Sequence, residues 1–384
     1  MLLDPALPVL TSFAHSVPRA IQLLRHGVKR IIIDHPSVGC RTFEKGNDSI
    51  LQRYQTLTSL DSSIEWVANI DILAHSSNEQ AIEHAIQTAR QVGIRHIRVQ
   101  DVGLIDWVRS VDPDTKVTLA VEIGNHSQAA ISFWATQVNE QSVSNDVPAS
   151  VLAQIDQPHS LECLVQGPVL MQWSKRSYLD GFTDSRVEGV DTEYPGRKLT
   201  FWQSEHGTVM LAYFHRCLLR DINVLRELGL GSWLIDARGQ SDAYLEQALS
   251  VYQAPQLGMV DIRHAMGVLQ TESDRPQLPG FFRGNSTDQE RDGVRPNAIV
   301  GHITDSQSGS HLVMRARRNG DVSEPVMALN PTSQIKPITL MGATSLLGEP
   351  ITQFKVGDWL VLPFQKGVVV KTWVIDFAPH PDAI

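Results

Sequence analysis

The sequence predicts an α/β protein: a TIM-barrel-like (β/α) domain followed by a small all-β barrel domain. Three observations carry that prediction. Short, uniformly apolar segments alternate with amphipathic helical stretches through most of the chain, with short connections between them. The number of such units is about seven or eight, as an α/β barrel of some 250 residues requires. After Gln270 the helical periodicity stops and strands recur at short intervals with turn residues between them.

Taken in order, residues 8–10 open as a strand. Ser16 then caps a helix with Pro18 in its first turn and Gly27 as its stop. Residues 30–34 form a strand buried on both faces, and residues 67–73 form another. Ser77 and Gln80 make a capping-box pattern ahead of a helix through Ala81, Ala85 and Ala89. Residues 96–99 and 117–121 are further strands, the first running into Asp101. Ser127 leads a helix, residues 139–150 are polar and read as loop, and residues 161–165 return to strand. Residues 183–197, rich in charge and turn formers, read as an extended surface loop before a strand at 209–213.

Residues 221–253 form the centre of the functional argument. Ile222, Leu225 and Leu228 share a helical face that Gly229 and Gly231 end. The buried strand Trp233-Leu234-Ile235 follows and stops abruptly on Asp236-Ala237-Arg238. Ser241 then caps the next helix. A carboxylate and a guanidinium therefore stand at a strand's carboxyl end, where ligands and chemistry collect in parallel α/β architectures. The competing reading is a structural ion pair closing a βα loop.

Charge between residues 271 and 280, with two prolines and a glycine, marks a domain boundary, giving domains 1–275 and 276–384. Strands at 299–303, 311–315, 326–329, 338–340, 359–362 and 368–375 are separated by Asn319-Gly320, Gly357-Asp358 and Lys366-Gly367.

Composition narrows the function classes. A net charge of −9, from 42 acidic and 33 basic side chains among 384 residues, gives no global attraction to nucleic acid or an anionic bilayer. No run approaches the ~18 apolar residues of a membrane span, and the amino terminus lacks a secretory pattern. Membrane and nucleic acid are therefore not expected partners. Arg315, Arg317 and Arg318 form the one local basic cluster, read as a charged edge strand rather than an RNA contact. Cys40, Cys163 and Cys217 are widely spaced, which fits a reduced cytoplasmic setting and buried thiols rather than ligands. Neither Gly-x-Ser-x-Gly nor His-Glu-x-x-His occurs, so serine and zinc hydrolysis have no local motif.

Several motifs in register resemble the collagenase-like peptidase family, the U32 group. These are Val99-Gln100-Asp101-Val102-Gly103-Leu104 and Leu161-Glu162-Cys163-Leu164-Val165-Gln166-Gly167-Pro168. Leu234-Ile235-Asp236-Ala237-Arg238 resembles the family's Lys-Ile-Glu-Gly-Arg, with Asp221 at an aspartate of that pattern. Gly280-Phe281-Phe282-Arg283-Gly284 resembles the start of the carboxyl-terminal barrel. Gly27 and Arg41 also match. The departures are as informative. Members with an iron–sulfur cluster carry cysteines where this chain has Leu170 and Ser177, and Gln166 replaces the motif histidine. Cluster ligation needs several converging thiolates, so no cluster, no metal and no other cofactor is expected. Gln166 cannot shuttle protons at neutral pH.

The resemblance implies a divergent family member, a metal-free hydrolase or modification enzyme that binds a small polar or peptide ligand at the barrel mouth. Asp236, Glu162 and Asp221 are the candidate catalytic residues. Arg238, Gln166, Arg41, Asp101 and Trp173 are the candidate ligand-binding residues, with Arg238 holding an anionic group and Trp173 stacking. The alternative is a non-catalytic subunit, a heteromer partner of a cluster-bearing relative acting in RNA or ubiquinone-precursor hydroxylation.

Overall fold

The computed structural model describes residues 8–42, 48–122, 124–190, 197–253, 262–273, 275–284, 299–330 and 334–376. The chain divides into two units, Met1–Gly189 with Leu199–Gly284, and Val190–Lys198 with Asn285–Ile384.

The first unit is built on a closed parallel barrel. Its strands are β1 (Val9–Ala14), β2 (Arg30–Ile33), β3 (Glu65–Ile70), β4 (His96–Val99), β5 (Lys116–Leu119), β6 (Glu140–Ser142) and β7 (Leu161–Ser174). Strand β7 runs on past the barrel into an antiparallel extension made with β8 (Arg186–Val190), β9 (Lys198–Ser204) and β10 (Gly207–Cys217). The eighth barrel strand, β11 (Ser232–Ile235), pairs in parallel with both β1 and β7 and closes the ring. The helices that alternate with these strands include α1 (Val17–Arg25), α2 (Ile50–Thr58), α3 (Glu79–Gln91), α4 (Gly103–Val111) and α5 (Gln128–Ala135). Later come α6 (Ala149–Leu152), α7 (Ile222–Glu227), α8 (Asp242–Gln253) and α9 (Ile262–Thr271).

Local chemistry accounts for these elements. Triple isoleucine in β2 is buried throughout, as a strand covered on both faces demands. Ser16 accepts from the Arg19 backbone, and Ser49 with Gln52 completes a reciprocal capping box on α2. Asn78, not Ser77, stands at the start of α3, and it makes no side-chain cap. Two segments differ from the sequence reading. Residues read as polar loop contain β6 and the first two residues of α6, and the stretch read as surface loop contains β8, with 191–196 outside the described residues.

The barrel interior is layered. Near the amino ends of the strands, Arg30 bonds both Glu65 and Glu140, His96 joins Glu65 to Thr118, and Ser232 and Thr118 donate to Glu140. Above this polar layer lie Phe13, Ile32, Val67, Leu164 and Leu234, in one apolar cluster. A second ionic layer fills the carboxyl end.

The second unit holds a six-stranded antiparallel sheet in the order Ile335–Ile338, Val326–Leu329, Trp373–Asp376, Ile299–Gln307, His311–Ala316 and Trp359–Pro363. Gly320–Asp321 and Gln353–Phe354 form a separate ladder. Val300, Ile303, Leu312, Met314, Leu360 and Val374 are central to its core. The sheet order is linear, and among the described residues no ladder joins its outer strands.

Candidate active site at the barrel mouth

Three strands end in the same way: a buried, largely apolar run closing on isoleucine and followed at once by an aspartate. These are Asp34 after β2, Asp71 after β3 and Asp236 after β11, and all three are buried. Around the barrel they converge on one guanidinium. Arg238 donates from Nε to Asp236 Oδ1 at 3.0 Å and from Nη2 to Oδ2 at 2.8 Å, a bidentate pair. Its Nη1 lies 3.3 Å from Asp71 Oδ2 and 3.5 Å from Asp34 Oδ2. The Phe13 ring faces the guanidinium carbon at 3.6 Å, so the group rests on the apolar layer through a cation–π contact.

Further ion pairs extend this cage across the mouth. Arg41 Nη1 is 3.5 Å from Asp236 Oδ2, and its Nη2 bonds Glu122. Arg98 bonds Glu162 and stands 3.8 Å from Glu122 Oε1. Asn69 donates to Asp34 Oδ1 at 2.8 Å, and the Cys40 backbone N–H donates to Asp71 Oδ1 at 2.7 Å. Gly167 lets β7 pass this close: at φ +134° a Cβ there would fall 2.1 Å from the Asp236 carbonyl oxygen. Above the cage, Ser204 Oγ donates to the Cys40 carbonyl and His206 Nε2 bonds the Pro36 carbonyl, so the β9–β10 turn is fastened to the loop after β2.

The three aspartates do not titrate alike. Burial dominates at Asp34 and, with Asp71 and Asp236 nearby, raises its pKa despite Arg238. Burial also acts on Asp71 and Asp236, but there Arg238 and Arg41 prevail and both pKa values fall, Asp236 to about 2. Neighbouring carboxyl groups pushed apart in this way are a pattern of acid–base sites.

Several polar atoms on this network have no hydrogen-bond partner among the described residues although they are covered. They are the acceptors Asp34 Oδ2 and Asn69 Oδ1 and the donors Arg41 Nε and Arg98 Nη2. Buried polar groups are normally satisfied, so this cluster of covered atoms at a strand-end mouth makes it the candidate site.

The sequence model of peptidase family U32 matches residues 15–291. This chain belongs to peptidase family U32. Among solved structures it is similar to the U32 peptidase Mk0906, with 12% identity, 60% of this chain and 93% of that one covered, and a TM-score of 0.39. It is also similar to the spore cortex-lytic enzyme SleL of Bacillus cereus (10% identity, 59% and 69% covered, TM-score 0.32). A third such structure is phosphoenolpyruvate phosphomutase from Streptomyces platensis subsp. rosaceus (11%, 76% and 96%, TM-score 0.37). No curated protein matches.

Within this U32 chain the residues singled out from sequence separate into groups. Asp236, Arg238 and Arg41 share the cage directly, and Glu162 joins it through Arg98 and Glu122. Asp221 does not: it precedes α7 and pairs with Arg283 at 2.8 Å. Gln166 bonds the Tyr244 hydroxyl and Gln277, and Asp101 accepts from the Gly103 N–H in its own loop and from the Ala74 N–H in the loop before α3. Trp173 lines a separate cleft on the rim. Arg238 was expected to hold a ligand anion. Its nitrogens instead face three aspartates, and its role in the geometry is to neutralise them. Asp34, Asp71, Arg98 and Glu122 were missed. The signal for the two aspartates was present, since each follows a strand that ends on isoleucine, as Asp236 does.

The three cysteines of this U32 chain, Cys40, Cys163 and Cys217, are free and buried. Burial raises the pKa of all three thiols, Cys40 well above its ordinary value, which favours the unligating protonated form. Leu170 and Ser177 offer no thiolate, and among the described residues no three His, Cys, Asp or Glu side chains are grouped to hold a metal ion. In the second unit, Arg318 is paired with Glu324 and Asp376, and Arg315 lies over Trp359. No helix among the described residues is long and apolar enough to cross a membrane.

Proposed function

We propose that this U32 protein is a hydrolase that binds a small polar or peptide amide at the barrel mouth and acts on it with its own side chains. The observation that carries the reading is the set of covered atoms without a hydrogen-bond partner among the described residues, beside a carboxyl whose pKa is raised. Arg41 Nε and Arg98 Nη2 can donate to a carbonyl oxygen, and Asn69 Oδ1 can accept from an amide N–H. An amide group supplies both complements. In hydrolysis, water adds to the carbonyl carbon and the C–N bond breaks. Asp34 gives its proton to the leaving nitrogen, and the proton lost by the water restores it. Arg238 and Arg41 lower the pKa of Asp71 and Asp236 while that of Asp34 is raised, so of the three carboxyls Asp34 is the one suited to carry the proton.

The test is release of amine from a panel of small carboxamides and dipeptides by the purified chain, compared with Asp34→Asn. A kcat loss of about 10²–10⁴-fold in the variant is expected for loss of a general acid. Equal turnover by both proteins removes Asp34 from the chemistry, and absence of turnover across the panel removes the hydrolase reading.

The departures at Leu170 and Ser177 favour a second reading, a non-catalytic subunit of a heteromer with a cluster-bearing relative. Stoichiometric co-purification with such a relative supports it, and turnover by this chain alone excludes it.

A further inference from the structure

Seven arginines are buried among the described residues, and six of them face a carboxylate: Arg19, Arg41, Arg53, Arg98, Arg238 and Arg275. Arg216 is the exception. It is 1% exposed, and its nitrogens meet no carboxylate among the described residues.

The surroundings of Arg216 are well defined. It lies near the end of β10, opposite Gly167 of β7 and beside Leu278 of the two-residue strand Gln277–Leu278. Its Nη1 donates to the backbone and side-chain oxygens of Asn145, which follows β6, at 3.0 and 2.9 Å. The ring of Phe282, part of the large apolar core rather than of the cluster inside the barrel, lies 5.6 Å from the guanidinium carbon. Asp221, the nearest acid in sequence, is paired with Arg283. Cys163 supplies no counter-charge, because burial outweighs the pull of Arg216 and raises its pKa.

The bonds to Asn145 use one end of the guanidinium. Nε and Nη2, which form its other edge, are covered and have no acceptor among the described residues. Neither has Nδ2 of Asn145, a residue 5% exposed. The pair therefore holds three covered atoms that can only donate, together with a positive charge. Burying a charge is costly unless it is paired, and the other six buried arginines are kept by pairing. The Nε–Nη2 edge is the fork that takes both oxygens of a carboxylate.

We propose that Arg216 and Asn145 bind a small carboxylate anion behind Gly167, outside the apolar cluster of the barrel interior. One guanidinium balances one negative charge, whereas a dianion such as sulfate would bring an excess charge into a covered place. The site does not depend on the amide reading of the mouth. Its donors are covered, so the anion enters through local opening of the outer layer.

The experiment is equilibrium dialysis of the full chain against radiolabelled formate at constant ionic strength. Saturation at one formate per chain is expected. Arg216→Met should weaken binding about tenfold or more, as loss of charged hydrogen bonds predicts. Asn145→Asp leaves the arginine in place and gives it an internal carboxylate, so it should weaken formate by a similar factor and serves as the test if Arg216→Met fails to fold. Unlabelled acetate should displace the label at lower concentration than chloride or sulfate does. Absence of bound formate, undiminished binding in either folded variant, or displacement by chloride or sulfate as effective as by acetate overturns the assignment.

Discussion

At the scale of single residues, Arg238 matters through what surrounds it. It is the shared counter-charge of Asp34, Asp71 and Asp236 in a buried layer, so Arg238→Met leaves carboxylates without compensation. Breaking one side of such a buried arrangement costs about 3–5 kcal/mol, and urea unfolding should show a loss of that size. Asp221→Asn is the contrasting case. Its partner Arg283 is 54% exposed, so the pair contributes at most about 1 kcal/mol, and turnover should be unaffected because Asp221 lies outside the cage. The difference explains what was legible. Asp236 and Arg238 could be read together because two positions of one loop separate them. The other half of the cage assembles from partners far apart in sequence, Asp71 lying 167 positions from Arg238, and only barrel closure brings them together.

At the scale of elements, the polar strand β6 shows why periodicity fails where side chains complete ionic layers. Glu140, Gln141 and Ser142 are all buried, against the usual strand composition. Glu140 takes Arg30, Thr118 and Ser232, and Gln141 bonds the Ile131 carbonyl and Asn125. A propensity scan sees three polar residues and reads a loop. The strand β7 supplies a sharper test of local geometry. Gly167→Ala places a methyl against the Asp236 backbone in a positive-φ conformation and is expected to cost about 3 kcal/mol or more. Gly27→Ala, at φ +69° with nothing within 4 Å, should cost only about 1–2 kcal/mol. Thermal unfolding of the two variants checks the contrast, and equal losses would mean that the close approach at Gly167 relaxes freely.

At the scale of the whole molecule, the two ionic layers set the response to acid. Asp71, Asp236 and Glu65 have pKa values below their unfolded values, Glu65 chiefly through its bond to His96 and its pairing with Arg30. Their contribution is complete above the unfolded carboxylate range near pH 4 and is withdrawn as the pH falls toward about 2. Asp34 has the opposite sign: its raised pKa favours the folded state in acid and counts against it as the pH rises through its folded value. Urea midpoints should therefore fall between pH 5 and pH 3, and Asp34→Asn should leave that acid limb in place while flattening the decline on the alkaline side. A midpoint that holds steady down to pH 3 would contradict the assignment. The two-part organisation was visible as a change of period after Gln270, because helix and strand spacing differ along the chain itself. Whether the second sheet closes depends on pairing between distant strands, which spacing does not encode.

The Arg30–Glu140 clamp at the opposite end of the first unit has one more consequence. With that floor sealed by ions and an aliphatic plug above it, the ring of strands is a cup with no drain. Whatever sits against the aspartates must leave by the opening through which it came, so spent material and fresh material contend for a single doorway. Inhibition of any turnover by its own products should accordingly be competitive.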